Sequence, residues 1–396
     1  MKLFKNLQII IGLICPILSF SQAKAPYVNT TFGKGIGFAS SDSSFTLALS
    51  GRIQSMSEVK HELNTNTTLA DFYVRRCRLN IQGKAFHPSF TYRIQLGFAQ
   101  GDIKSDNASA QNNLILRDAM MYYSPNKWLR IGMGQTKLPG NRQRQVSSAN
   151  LQLVERSIAN NNFTIDRDKG IWVFTNFNFG KALLKTTVAV SSGDGRINSD
   201  KNGEICLSGR TELLPFGEFH GAGDYIEASQ EREKTPKLSL AAAYSYNSAA
   251  SRTMGQLGEY LYNNMHANIK YYGADMMFKY KGFSLESEFY HRESNTSVIT
   301  SKTDTTGKTR NYVIMGNTLM IQTGIFISKR NEIAMRYAEI NPSQKIIAYF
   351  PAQKEYVLGF SRYFLKHNLK IQTDCSYFKV GTKESLVYRL SSVITF

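Results

Sequence analysis

Basic side chains recur at alternate positions in several segments of this sequence, and their spacing indicates chemistry. In an extended strand, alternate side chains share one face, so residues at this spacing would line one surface. A row of arginines and lysines beside confined water attracts anions and repels cations. We predict that such an anion path is formed by Arg52, Arg76, Arg78, Arg93 and Arg130 of the alternating segments. Lys137, Arg142, Arg144, Arg156 and Arg167, which lie outside this alternation in the long connection Thr136–Asp168, are predicted to extend the path.

The whole chain is basic, with 48 Lys and Arg residues against 30 Asp and Glu residues, and its formal net charge is +18. Such a charge ordinarily suggests nucleic acid or an anionic surface as a partner. Here the basic residues form neither a tail nor a single cluster. The N-terminal export signal described below also argues against a nucleic-acid partner. A structural alternative stays open, in which Arg76 and Arg78 pair with acids such as Asp118 or Glu155. The strand faces that carry these basic residues are also predicted to carry the acids Glu212, Glu286, Glu288 and Asp374.

Catalytic and metal-binding motifs are absent from the sequence. It contains no HExxH, no GxSxG elbow and no P-loop. Of the four cysteines, Cys15 lies in the N-terminal segment, and Cys77, Cys206 and Cys375 lie far apart and give no CxxC spacing. We therefore predict no catalytic residue, no cofactor and no metal. The six histidines are scattered, at positions 61, 87, 220, 266, 291 and 367.

The N-terminal segment has the order of a secretory signal peptide. Lys2 and Lys5 precede an apolar run, Leu7–Phe20, and small residues follow it. The run is shorter than the roughly 20 residues of a membrane-spanning helix. We predict a signal peptide over residues 1–25 and a mature domain over 26–396. Cleavage after Ala25 and cleavage after Ser21 both fit the pattern.

Apolar and polar residues then alternate with a period of two, which predicts an all-β protein. About sixteen segments have this pattern, at lengths that suit barrel strands joined by turns and loops. They lie near Phe45–Gln54, Phe72–Ala85, Phe90–Phe98, Ile115–Tyr123, Leu129–Met133, Ile171–Phe179, Leu183–Ser191, Ile205–Leu213, Leu238–Tyr246, Tyr272–Tyr280, Phe283–His291, Met315–Phe326, Glu332–Glu339, Tyr356–Tyr363, Leu369–Tyr377 and Leu386–Phe396.

Two architectures could carry these strands, a soluble sandwich and a transmembrane barrel. The mean hydropathy is −0.30, and the second face is rich in Ser, Thr, Asn and Gln rather than densely charged. The sequence contains 21 Tyr, 24 Phe and 2 Trp, many at strand ends, which suits interfacial aromatic girdles. The last strand ends on Phe396, which we interpret as a barrel-assembly signal. The pattern favours a transmembrane antiparallel β-barrel with a closed edge.

Several blocks resemble one known family, the phosphate-selective porins O and P. The resemblance lies in FYVRRCRLNIQG (Phe72–Gly83), YRIQLGFA (Tyr92–Ala99), LRIGMGQTKLP (Leu129–Pro139), SSANLQLVERS (Ser147–Ser157) and RDKGIWV (Arg167–Val173). It implies a 16-stranded barrel, often trimeric, with a long loop folded into the lumen and basic side chains along an anion path. The C-terminal half is similar mainly in texture.

In this chain the predicted inserted loop is Thr136–Asp168, which is long for a hairpin connection. We expect an exported protein of the bacterial outer membrane that passes small anions such as phosphate. Its expected partners are membrane lipid, the barrel-assembly machinery and two further copies in a homotrimer. An adhesive barrel with a blocked lumen, or a hydrolytic barrel, is the alternative. Gly217–Thr235 and Arg292–Arg310 are predicted to be extracellular loops.

Overall fold

Antiparallel strands dominate the computed structural model, which describes residues 27–103, 115–196, 205–307 and 309–396. The predicted signal peptide lies outside the described residues. In chain order, the strands are β1 Tyr27–Thr31, β2 Gly35–Ala39, β3 Phe45–Glu62, β4 Thr67–Ala85, β5 His87–Gly97, β6 Leu116–Tyr123, β7 Leu129–Lys137, β8 Arg167–Phe179, β9 Ala182–Ser191, β10 Cys206–Leu214, β11 Lys237–Ala250, β12 Ala267–Tyr280, β13 Phe283–Ser294, β14 Val298–Thr300, β15 Arg310–Tyr312, β16 Gly316–Phe326, β17 Asn331–Pro342, β18 Gln353–Leu365, β19 Leu369–Val380 and β20 Lys383–Thr395.

Sixteen of these strands form a closed barrel, as the alternation predicts. The barrel runs from β3 to β13 and from β16 to β20, each strand pairing with the next. It closes where β20 pairs antiparallel with β3, from Ser385 opposite Glu62 to Thr395 opposite Arg52. The hairpin β1–β2 continues the sheet beside the first part of β3, and β14 and β15 form a small separate hairpin. Closure leaves no barrel edge exposed to lipid.

The outer face of the barrel is apolar and the inner face is polar, as a membrane requires. Large apolar side chains lie on the outside, such as Leu358 at 53% exposure and Leu390 at 54%. Aromatic pairs such as Phe90 and Tyr123, with ring centroids 4.8 Å apart, lie near the chain turns. The inside instead carries buried arginines, carboxylates and amides. A soluble sandwich would have the opposite arrangement, so the prediction of a transmembrane barrel is confirmed.

The two ends of the barrel differ in their connections. At one end, which we name the turn end, the strands are joined through residue 86 and through 124–128, 180–181, 215–236, 281–282, 327–330 and 366–368, and β20 also ends there. At the other, the loop end, they are joined through 63–66, 98–115, 138–166, 192–205, 251–266, 295–315, 343–352 and 381–382.

The segment 215–236 is the long connection of the turn end. Outer-membrane barrels have short turns on the periplasmic side and longer loops outside the cell. The prediction that Gly217–Thr235 is an extracellular loop is therefore wrong, because this segment joins β10 to β11 at the turn end. It follows the eighth barrel strand, and even-numbered barrel strands end at the turn end. By contrast, the polar stretch after Arg292 does contribute to a connection of the loop end.

Helices are short and lie in the connections. They are α1 Gln100–Ile103, α2 Arg142–Gln145 and α3 Ile158–Phe163, with 3-10 turns at His220–Tyr225 and Tyr262–Asn264. In the described part of the chain, none is long and apolar enough to cross a membrane. α2 and α3 both belong to the connection 138–166.

Candidate anion pathway

The connection 138–166, which we call the inserted loop, folds into the barrel lumen as predicted. Most of its apolar residues are buried, among them Leu138 and Phe163 at 0% exposure. Glycines on the barrel wall make room for it: a Cβ at Gly324 would lie 1.8 Å from Nε2 of Gln152, and a Cβ at Gly359 would lie 2.3 Å from Cδ2 of Leu153. The loop therefore packs against β16 and β18 so closely that a side chain on either glycine would require Gln152 or Leu153 to shift.

Polar contacts fix the inserted loop to the same wall. Arg336 of β17 forms an ion pair with Glu355 of β18 at 2.9 Å and donates a hydrogen bond from Nη1 to the Glu155 carbonyl at 2.9 Å. The amide of Ile158 donates to Oε2 of Glu355 at 3.1 Å. The amide of Val154 donates to Oδ2 of Asp374, also at 3.1 Å. These backbone contacts hold the loop to one side of the lumen.

The segment 215–236, which we call the turn-end plug, enters the lumen from the opposite end and meets the inserted loop. The amide of Gln152 donates to Oε2 of Glu227 at 2.8 Å, and the amide of Glu227 donates to the Asn150 carbonyl at 3.1 Å. Lys279 of β12 donates to the Gly223 carbonyl at 2.7 Å. The half of the lumen along β11–β19 is thus filled by these two segments.

Apolar side chains pack together over the loop end of the same half. Leu261, Val313, Ile346 and Phe350 belong to one buried cluster, and they come from the connections that follow β11, β13 and β17. With the plug at the turn end, this cluster leaves the half along β4–β10 for solute passage.

A cavity of about 1130 Å³, the main cavity, occupies that half. Its lining extends from Leu257 in a loop-end connection to residues 124–128 at the turn end. Among the described residues, four carboxylates line it, from Asp118, Glu155, Asp166 and Glu212, against thirteen basic side chains. The basic residues are Arg75, Arg76, Arg78, Arg93, Arg117, Lys127, Arg130, Lys137, Arg144, Arg156, Arg167, Lys185 and Arg210.

Each of the four carboxylates is already paired with arginine. Asp118 accepts from Nε of Arg167 at 2.8 Å, and Asp166 accepts from Nε of Arg144 at 2.7 Å. Oε1 of Glu212 accepts from Nε of Arg210 at 2.8 Å. Glu155 accepts from both Arg75 and Arg76, with Nε of Arg75 at 2.6 Å and Nη2 of Arg76 at 2.9 Å. The negative charge of the cavity is therefore locally neutralised.

Positive charge remains in excess. Lys137 donates to the carbonyls of Gln145 and Val146, and Arg156 donates to the carbonyls of Gln143 and Val146. The guanidinium of Arg130 lies over two rings, 4.7 Å from the Tyr122 centroid and 4.4 Å from the Phe174 centroid. Arg93 is exposed inside the cavity. Within the described ranges, none of these four basic residues has an ion pair to a carboxylate.

Electrostatics keep the loop carboxylates ionised. Burial raises the pKa of Glu155, but Arg76 and Arg75 lower it by more, so the pKa lies well below its usual range. Asp166 is similar: burial raises its pKa, and Arg144 and Arg167 outweigh that effect. Both residues stay negative at neutral pH and compensate part of the arginine charge.

Eight of the ten basic residues predicted for the anion path line the main cavity, and Arg52 and Arg142 do not. Arg52 is buried against the inserted loop and donates to Ser148 Oγ at 2.7 Å. Arg142 is fully buried, since its Nε donates to Oδ1 of Asp275 at 2.8 Å and its Nη2 donates to Ser239 at 2.7 Å. These two arginines hold the loop against the wall instead of facing solute. The eight that line the cavity are Arg76, Arg78, Arg93, Arg130, Lys137, Arg144, Arg156 and Arg167.

Five of the basic lining residues were not predicted, namely Arg75, Arg117, Lys127, Lys185 and Arg210. Strict alternation would turn Arg75 toward lipid. A β-bulge changes this, because Gln54 pairs with Arg76 whereas Ser55 pairs with Val74, which leaves Arg75 as the extra residue. Two adjacent arginines in a strand were the available signal, since a lipid-facing guanidinium is costly.

The sequence left open whether Arg76 and Arg78 pair with Asp118 or Glu155, and the structure shows one such ion pair. Arg76 pairs with Glu155, whereas Asp118 pairs with Arg167. Arg78 donates from Nη1 to Ser148 Oγ at 3.0 Å. In the described part of the chain, no group of three or more His, Cys, Asp or Glu residues could hold a metal ion.

A closed sixteen-stranded barrel with an inserted loop and a charged, off-centre cavity defines an outer-membrane channel of the porin type. Solved structures with the same fold include an anion-selective porin from Comamonas acidovorans, at 11% identity and a TM-score of 0.55, with 89% of this chain and 100% of that chain covered. The outer-membrane channel DcaP of Acinetobacter baumannii is 11% identical with a TM-score of 0.55, covering 91% and 99%. OmpF of Salmonella typhi, in complex with daunomycin, is 13% identical with a TM-score of 0.53, covering 89% and 98%.

The sequence itself matches one family over residues 47–387, described as phosphate-selective porin O and P. This chain belongs to that family, and the resemblance seen in its N-terminal blocks is confirmed. A search of curated proteins gave no match.

Proposed function

We propose that the main cavity is the permeation route of an outer-membrane porin that favours small anions, with phosphate among them. The observation that carries the proposal is the excess of basic over acidic side chains along this cavity, where each carboxylate is already paired. In confined water, unpaired cationic groups raise the local concentration of anions and lower that of cations. Passive diffusion then follows the concentration gradient.

The route would run from the loop end, past Glu155 and the basic residues of the inserted loop, to the turn end. Arg156 and Lys137 lie on or beside the loop, and Arg93 and Arg130 lie farther along the wall. Guanidinium groups donate to carboxylate and phosphate oxygens in a fork geometry. Small oxyanions are therefore the solute class that this lining suits, and phosphate agrees with the family's description.

Single-channel recording of the purified protein in planar bilayers tests the proposal. We expect stable conductance steps in KCl and in potassium phosphate. A folded barrel that gives no steps would contradict a channel and would favour the adhesive, partner-binding or hydrolytic alternative.

We also propose an exported homotrimer, assembled after removal of residues 1–25. The outer face of β3 and β20 carries small hydroxyl side chains at Ser55, Ser57 and Ser392, and Phe72 beside them is 81% exposed. A protruding ring beside a shallow polar surface suits contact with protein better than contact with lipid. Native mass spectrometry in detergent should give a trimer, and a monomer at all concentrations would contradict this assembly. N-terminal sequencing of the mature protein should begin at Pro26 or Gln22.

The C-terminal strand supports the assembly signal. Phe396 exchanges two backbone hydrogen bonds with Gly51, with N···O distances of 2.9 Å and 2.7 Å, and its ring covers that glycine on the outer face. The last residue therefore completes barrel closure at the turn end. Replacing Phe396 with Ser should lower the yield of folded barrel in membranes, and an unchanged yield would contradict a role in assembly.

A further inference from the structure

The bulge in β4 creates a paired guanidinium site in the pathway. Because Arg75 is the extra residue of the bulge, Arg75 and Arg76 both direct their side chains into the lumen. Arg76 is 3% exposed at its side chain and Arg75 is 27% exposed. Adjacent residues of a regular strand could not do this, since they point to opposite faces.

Glu155 occupies this paired site as a carboxylate ligand would. Its Oε1 accepts from Nε of Arg75 at 2.6 Å and from Nη1 of Arg76 at 3.2 Å. Its Oε2 accepts from Nη2 of Arg75 at 3.2 Å and from Nη2 of Arg76 at 2.9 Å. Four hydrogen bonds from two forks to one carboxylate reproduce the geometry by which arginine binds a free oxyanion.

The site is open to solute from two sides. Arg75 and Glu155 line the main cavity and also a second cavity of about 500 Å³ toward the loop end. The second cavity carries Glu58, Asp71 and Glu355 together with Arg389. The Glu155 carboxylate therefore stands between a mixed-charge vestibule and the basic main cavity.

Backbone groups hold the inserted loop in place on either side of the Glu155 side chain: the Glu155 carbonyl to Arg336, the Val154 amide to Asp374 and the Ile158 amide to Glu355. Replacing the carboxylate should thus leave the loop in place and change mainly the charge at the arginine pair.

We propose that Glu155 is a specificity-determining residue of the channel, a tethered carboxylate that occupies an oxyanion-binding site made by Arg75 and Arg76. An oxyanion in transit has to displace it, so the pair holds the solute weakly. Conduction requires this, because a solute that binds too tightly blocks its own route. This inference rests on the proposed function, since it concerns which anions the same pathway retains.

Phosphate block of the chloride current tests the inference, with the purified full-length protein in planar bilayers. In Glu155→Gln the arginine pair loses its resident carboxylate. The half-blocking phosphate concentration should fall about tenfold, because phosphate can then accept the charge-assisted hydrogen bonds that Glu155 accepts in the wild type. A half-blocking concentration equal to that of the wild type would overturn the proposal.

Two further variants keep the result interpretable. Glu58→Gln removes an equal charge near the same vestibule without touching the pair, so its block should match the wild type; an equal fall in both variants would overturn the proposal in favour of a general field effect. Glu155→Asp retains the charge but shortens its reach, so the half-blocking phosphate concentration should fall by an intermediate amount. This variant replaces Glu155→Gln in the test if Glu155→Gln does not fold. A wild-type channel without anion preference would refute the proposed function. An anion-preferring wild type whose phosphate block equals that of Glu155→Gln would refute only the role of Glu155.

Discussion

Neutralising Arg93 should weaken anion preference without disturbing the fold. Arg93 is exposed inside the main cavity and has no ion pair or hydrogen bond among the described residues, so its replacement removes neither kind of contact. An anion about 6 Å from the guanidinium in water-like surroundings gains about 0.7 kcal/mol. Screening at 0.1 M salt reduces this to about 0.4 kcal/mol.

That energy is worth about a twofold gain for anions and a twofold loss for cations. Arg93→Gln should therefore lower the anion-to-cation permeability ratio about fourfold, and Arg93→Glu about fifteenfold, on the same Coulomb estimate. The assay is the zero-current potential in a KCl gradient. Lys302→Gln removes the same charge from an exposed loop-end hairpin and should change nothing. Equal potentials for Arg93→Glu and the wild type would refute the assignment of the route.

Three further predictions concern what fills the lumen. Asp275→Asn removes one of the two carboxylates that pair with Arg142 and Arg210, the other being Glu212. It should cost at most about 3–5 kcal/mol, seen as a lower unfolding temperature by circular dichroism; no change would contradict a stabilising role. Gly359→Leu should push the inserted loop into the main cavity and reduce conductance, whereas Gly209→Leu on the outer face should not; equal conductance in the two would argue against the glycine clearing. Replacing 219–234 with a short Gly-Ser turn should enlarge the conductance steps by opening the half of the lumen along β11–β19. It should also weaken anion preference, because the buried carboxylates Glu286 and Glu288 of β13 belong to that half. Unchanged steps would place the plug outside any route.

The strands and their faces could be predicted from the sequence because a membrane barrel imposes one simple rule on every strand. Outward residues are apolar and inward residues are polar, so period-two alternation gives both the strand and its orientation. In β4, for example, Cys77, Leu79 and Ile81 lie opposite outward residues of β3, while Arg76 and Arg78 face the lumen. The loop before Arg167 could be located by its length, and its insertion into the lumen was implied by the family resemblance.

The lumen contacts could not be predicted, because they join residues that are distant in sequence. Arg142 reaches Asp275 across the barrel, so its removal from the pathway depends on how the inserted loop packs. Arg75 faces the lumen through a bulge whose position is set by pairing with β3. The turn-end plug is different: counting strands would have placed 215–236 after the eighth strand, at the end where even-numbered strands finish.

The central claim, an anion-favouring pore along the basic half of the lumen, is tested most directly by the zero-current potential of the wild-type channel across a KCl gradient. The excess of basic over acidic side chains in the main cavity predicts a potential with the sign set by chloride. A potential with the sign set by potassium would contradict it.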